Sequence, residues 1–231
     1  MSRKQRKTIN RSIKTGSAKP RYEVTPKTEN QDVYIQSMIK NSITFCSGPA
    51  GTGKSSVSVG VAVKLLLDPL YGIDKIIITR PAIEARGASQ GLGYMPGTKE
   101  EKMRPYLMPI FDELHKYLGI EETKKMMEAG KIEICPLEFM RGRTFNNSFM
   151  ILDEAQNCTY DQIKLFVTRL GMQSKAVING DPTQSDLYES RQGGFTDIIN
   201  RVNGIRDVAV CFLDQTDIVR NPLISRLLER I

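Results

Sequence analysis

One stretch, Gly48-Pro49-Ala50-Gly51-Thr52-Gly53-Lys54-Ser55, constrains this chain more than any other. It fits the spacing G-x-x-x-x-G-K-[ST] and has the context that spacing needs. An apolar run, Ile43-Thr-Phe-Cys-Ser47, precedes it, and a helical pattern over residues 53–67, ended by Asp68-Pro69, follows. The glycines let the backbone wrap so that its N–H groups converge on phosphate oxygens. Lys54 offers a point charge to β- and γ-phosphates. The Ser55 hydroxyl is a candidate Mg²⁺ ligand, and Ser56 continues the same first turn. The helix adds the positive end of its dipole. The expectation is ATP with Mg²⁺, held across residues 48–56.

A second apolar run, Phe149-Met-Ile-Leu152, delivers Asp153 and Glu154 at its carboxyl end, where open α/β sheets bind ligands. Asp153 is expected in the metal shell, and Glu154 is expected to polarise the attacking water. Two adjacent acids favour hydrolysis, because a small-molecule kinase activates its acceptor with groups placed elsewhere. A third run ends in Asn179-Gly-Asp-Pro-Thr-Gln184, which sets Gln184 to hydrogen-bond the γ-phosphate or the water. By itself that turn reads better as an ordinary Gly-Asp-Pro corner.

Around these motifs the periodicity predicts helices from about residue 31, with Val33, Ile35, Met38 and Ile39 inward, and over 100–118, 121–129, 159–170, 195–202 and 222–231. Thr159-x-x-Gln162 matches a capping box. Strands are predicted at 75–79, 132–135, 176–178 and 208–213. Strands alternate with helices and read as continuous apolar runs. That predicts an α/β fold with a mainly parallel sheet and helices on both faces.

The charge is uneven. Arg3, Lys4, Arg6, Lys7, Arg11, Lys14, Lys19, Arg21 and Lys27, against Glu23 and Glu29, put the whole formal excess of +7 into residues 1–30. This segment has few large apolar residues, so it is expected to be a disordered tail ahead of a domain over 31–231. It reads either as a solubilising or docking tail or as an electrostatic arm on phosphate backbones. No apolar run approaches the roughly 20 residues of a membrane-spanning helix. The basic start has no apolar stretch behind it, so no secretory signal is expected. The four cysteines form no CxxC pair, which fits a reducing cytoplasm, and the single histidine, His115, excludes chemistry built on histidine pairs.

The run Met140-Arg-Gly-Arg-Thr-Phe-Asn-Asn-Ser-Phe-Met-Ile-Leu-Asp-Glu-Ala-Gln-Asn157 resembles the phosphate-starvation-inducible PhoH family of ATPases. So do Thr79-Arg-Pro-Ala, Leu92-Gly-Tyr-Met-Pro-Gly97, Asn179-Gly-Asp-Pro-Thr-Gln184 and Ile218-Val-Arg220. The resemblance implies a RecA-like P-loop NTPase similar to the superfamily-one helicase core. It implies that Gln31 reads adenine and that Arg220 lies near the γ-phosphate. It also implies a homo-oligomeric ring, such as a hexamer, that remodels single-stranded RNA. Asn221 stands where the family often has histidine.

Arg80 and Arg220 are the two candidates for an arginine finger completing a neighbouring site. Arg141 and Arg143 are candidates for phosphate or RNA contact. Residues 86–98 are a candidate strand-lining loop, with Tyr94 either stacking on a base or packing under the loop. Two alternatives to an RNA-coupled ATPase stay open: a nucleotide-gated assembly switch with little turnover, and a small-metabolite kinase.

Overall fold

A computed structural model describes residues 20–81, 99–187 and 193–219, with side chains of 99–106 left aside. Six strands form one sheet: β1 (Ile43–Ser47), β2 (Lys75–Thr79), β3 (Ile132–Ile134), β4 (Ser148–Leu152), β5 (Lys175–Gly180) and β6 (Val208–Phe212). Their order is β3-β2-β4-β5-β1-β6, and every pairing is parallel. Helix α1 (Glu29–Lys40) precedes β1, and helices α2 (Lys54–Leu67), α3 (Lys99–Leu118), α4 (Ile120–Glu128), α5 (Tyr160–Val167) and α6 (Gly194–Val202) lie in the connections between strands. This is the RecA-like α/β fold.

The strands read as unbroken apolar runs because both sheet faces are covered. Ile76 and Ile78 of β2 join one core with α1, α2 and α3, while Ile77 points into the other with α5 and α6. Each fully buried side chain of this size contributes about 1.5–3 kcal/mol. Helix α2 is apolar almost all round because it lies between the sheet and α1 and α3. Gly60 permits that layering: a Cβ there would lie 2.6 Å from the Tyr117 ring and 2.8 Å from Val24 Cβ. Helix α5 starts on the expected capping box, with both the Thr159 and Gln162 halves formed. It stops at Val167 rather than 170, because Leu170 is drawn into a bridge with Phe145.

Helix α1 buries Ile35 and Met38 as expected and packs Ile39 partly against the first core, and it departs from the expectation at Val33. Gln31, Tyr34, Ile35 and Met38 are buried, while Val33 is exposed. The i, i+3, i+4, i+7 spacing holds, but a glutamine and a tyrosine occupy two of its inward positions. The folded body also reaches back before residue 31. The Arg21 N–H donates to the Tyr117 carbonyl, Val24 packs on the first core, and Thr28 caps α1. The segment 20–30 is therefore a strap on the domain. Residues 1–19, the loop 86–98 with Tyr94 and the helix expected over 222–231 lie outside the described residues.

Candidate nucleotide site

The phosphate loop follows β1 at the carboxyl edge of the sheet, between β5 and the edge strand β6. Gly51 and Gly53 take φ of 85° and 83°, the left-handed region glycine enters without strain. Lys54 turns back over the loop, its Nζ donating to the Gly48 and Pro49 carbonyls at 2.6 and 2.9 Å. The Thr52 hydroxyl closes the turn on the Pro49 carbonyl at 2.8 Å. Pro49, Ala50 and Ser56 lie along the same loop and first helical turn, and Ser56 receives a bond from Lys116 of α3.

Two strands away, β4 ends at Asp153. The Ser55 hydroxyl donates to Asp153 Oδ1 at 2.7 Å, joining the loop to the acidic strand. Asp153 is 4% exposed, and burial pushes its carboxyl above the ordinary range, with Glu154 adding to the rise and Arg80, Ser55 and Lys54 opposing it. A hydroxyl beside a buried carboxylate is a set of hard oxygen donors that fits Mg²⁺. Among the described residues no group of three or more His, Cys, Asp or Glu side chains is placed to hold a metal. Ser55 and Asp153 would thus hold it together with phosphate oxygens.

Glu154 adopts φ 57°, uncommon for a residue with a side chain and costing roughly 1–3 kcal/mol. Both of its carboxylate oxygens are engaged: Arg80 donates to Oε1 at 2.6 Å and Gln156 Nε2 donates to Oε2 at 2.6 Å. Arg80 Nε also lies 3.7 Å from Asp153 Oδ2. Arg80 is thus ion-paired to its own chain's acids. Gln156, which sequence reasoning passed over, is buried, and its Oε1 accepts the Asp181 backbone N–H at 2.9 Å. One amide ties Glu154 to the turn after β5 that carries Gln184. The signal was present in Asp153-Glu-Ala-Gln156, but the partner lies on another strand.

A cavity of about 790 Å³ unites these parts. Lys54, Ser55, Asp153, Glu154 and Gln184 line it at the phosphate end. Tyr22, Thr25, Lys27 and Gln31 line it on the strap side, and Lys116 and Tyr117 face it from α3. The volume falls within the range of nucleotide-sized sites. Gln31 is 2% exposed, and its amide accepts the Lys27 N–H at 2.8 Å while donating to the Thr52 carbonyl at 2.9 Å. It links strap, α1 and phosphate loop.

Arg220 lies outside the described residues. Its predecessor Val219 lines the cavity and donates its N–H to the Gly51 carbonyl at 3.2 Å. Just upstream, Asp217 is fully buried and receives Thr28, Asn30 and the Asp214 N–H. Burial alone would raise its carboxyl, but these donors bring it below the ordinary range.

Arg143 is engaged within its own chain, with its side chain 39% exposed. It forms a fork with Glu133 at 2.6 and 3.0 Å and lies over the Phe145 ring at 4.5 Å. Arg141 is exposed. No helix among the described residues is long and apolar enough to cross a membrane.

The family model described as PhoH-like protein matches residues 23–231. A PhoH-like protein of Bacillus subtilis is 46% identical over 203 residues, covering 88% of this chain and 62% of its own length. A PhoH-like protein of Synechocystis is 43% identical over 206 residues, covering 89% of this chain and 61% of its own. The chain thus spans about three fifths of these relatives. Among solved structures, the large terminase of a thermophilic bacteriophage superposes with a TM-score of 0.53 at 11% identity, covering 89% of this chain and 50% of that one. This last likeness speaks to the P-loop NTPase fold alone. The match running from the strap through the loop and acidic pair to the last residue makes this chain a member of the PhoH-like family.

Proposed function

We propose that the chain is a Mg²⁺-dependent ATPase coupled to single-stranded RNA. The observation that carries the hydrolase reading is the 2.7 Å contact between Ser55 and Asp153, with Glu154 one residue on and lining the same cavity. Lys54 would neutralise β- and γ-phosphate charge, and Ser55 and Asp153 would hold the metal. Bound there, Mg²⁺ would supply positive charge against that developing on the phosphate oxygens. Glu154 accepts a proton from the attacking water, and Gln184 hydrogen-bonds the γ-phosphate or that water. Gln31 lines the same cavity on the strap side, which supports a role in adenine recognition.

Family membership supports assembly as a ring. For the finger, Arg220 completes the site of a neighbouring chain in that ring. Mixing Arg220→Ala and Lys54→Ala proteins tests this: no recovery of activity supports action in cis, and recovery supports action across an interface.

The nine basic residues within 1–30 support RNA as the polymer. Phosphate release measured with single-stranded RNA, single-stranded DNA or no polymer, each at low and high salt, tests the coupling. Stimulation by RNA that falls steeply with salt is expected. Equal rates under all conditions would remove RNA from the account.

A further inference from the structure

Helix α1 reaches the phosphate loop by two routes. Gln31 is the direct one. The other is a buried chain of hydrogen bonds through Tyr34, Asn179 and Ser58, each 0% exposed. The Tyr34 hydroxyl donates to Asn179 Oδ1 at 2.5 Å. Asn179 Nδ2 donates to Ser58 Oγ at 3.0 Å, and Ser58 Oγ donates to the Ser55 carbonyl at 3.0 Å. The direction is fixed by chemistry. An amide oxygen only accepts, so Tyr34 must give its proton. An amide nitrogen only donates, so Ser58 must accept there and spend its own proton on Ser55. Bonds aligned in one direction polarise one another in a dry interior. Burial pushes the Tyr34 hydroxyl well above its ordinary range, so it stays a donor.

The chain crosses three elements. Tyr34 sits on α1, one turn after Gln31. Asn179 lies on β5, next to Gly180, whose carbonyl accepts the Gly48 N–H at 3.2 Å, and it also lines the nucleotide cavity. Ser58 lies in α2, one turn after Ser55. The last acceptor belongs to the residue whose hydroxyl meets Asp153.

We propose that Tyr34 is a positioning residue, which through Asn179 and Ser58 fixes the first turn of α2 and so orients the Ser55 hydroxyl toward the Mg²⁺ of a bound nucleotide. This rests on the nucleotide-hydrolysis reading above. It assigns α1 a task separate from adenine recognition, because Tyr34→Phe leaves the Gln31–Thr52 contact in place.

The test compares affinity for a fluorescent ADP analogue in Mg²⁺ and in EDTA, for wild type, Tyr34→Phe, Ser58→Ala and the double variant. Groups that orient a ligating side chain typically cost about 10–100-fold when removed. Acting through two further side chains, each single variant is expected to lose roughly three- to tenfold of the Mg²⁺-dependent tightening. Affinity in EDTA stays within about twofold, and the double variant is no worse than either single one. A role confined to stability would lower the melting temperature and leave the Mg²⁺ increment intact. An unchanged increment in either variant, or losses that multiply in the double, overturns the relay while the nucleotide site stands. A wild type with no Mg²⁺-dependent binding overturns the site reading and the relay together.

Discussion

The Arg80 guanidinium lies 2.6 Å from the Glu154 carboxylate, across 74 residues of sequence. It also neighbours the more deeply buried Asp153. Arg80 is the largest of the groups that offset two acids packed side by side, ahead of Ser55 and Lys54. Arg80→Ala leaves that charge only partly compensated. Breaking a fully buried pair costs about 3–5 kcal/mol; Glu154 is one-third exposed, so a loss of about 1–3 kcal/mol is expected. Mg²⁺ should restore part of it, because the ion replaces the lost charge. Urea midpoints with and without Mg²⁺ measure both effects. A variant as stable as wild type in EDTA contradicts this role.

Gln156→Ala removes the amide that joins Glu154 to the Asp181 backbone. Glu154 keeps its bond to Arg80 but loses the second of its two anchors. A misplaced catalytic group costs on the order of tenfold or more in rate. The expected result is kcat down about tenfold or more, with nucleotide affinity within about threefold. Steady-state kinetics alongside equilibrium binding separates the two. Loss of affinity with kcat intact would assign Gln156 to binding instead.

How much of this was legible in the sequence divides by range. The loop at 48–55 and the strand into Asp153–Glu154 are local patterns, and the sheet follows from apolar runs alternating with helices. Four features were not local. Arg80 reads as a free finger until β2 and β4 pair and bring its side chain onto the acids. Arg143 looks like a phosphate ligand until β3 brings Glu133 against it. Val33 reads as inward because it is apolar, yet Gln31 and Tyr34 hold the buried face through hydrogen bonds that hydropathy does not register. The strap at 20–30 was hidden by being read together with the basic residues before it, because backbone bonding at Arg21 and packing of one valine leave no compositional trace.

Gly60→Val tests the packing of α2. The nearest atoms, in the Tyr117 ring and at Val24, are held by α3 and the strap and cannot both withdraw. Overpacking of this kind costs about 1–3 kcal/mol. Because Tyr117 and the strap also line the nucleotide cavity, affinity should fall with stability. Thermal melting with and without nucleotide reads both. A variant with wild-type melting would mean that the strap is not packed as described.

The Glu133–Arg143 fork sets a pH dependence. The hydrogen bond from Arg143, opposed by burial and aided by Lys75, holds the Glu133 carboxyl below the ordinary range. A depressed folded pKa stabilises above the unfolded value, and that contribution is lost as pH falls through the folded one. The pair is partly exposed, and Arg143 also lies over Phe145, so Arg143→Ala should cost about 1 kcal/mol at neutral pH. The charge-dependent part should fade below about pH 4. Stability curves from pH 3 to 8 check the sign. A difference that grows on acidification contradicts the assignment.

The account turns on whether Glu154 is the base of a hydrolase whose nucleotide is held by Lys54. Phosphate release and nucleotide affinity, measured together on wild type, Lys54→Ala and Glu154→Gln with Mg²⁺, test this most directly. The expected result is that wild type hydrolyses ATP, Lys54→Ala loses binding and turnover, and Glu154→Gln keeps affinity within a few-fold while turnover falls by about 10²–10⁴. A Glu154→Gln protein that releases phosphate at the wild-type rate, or a wild type that binds ATP without hydrolysing it, would contradict the account.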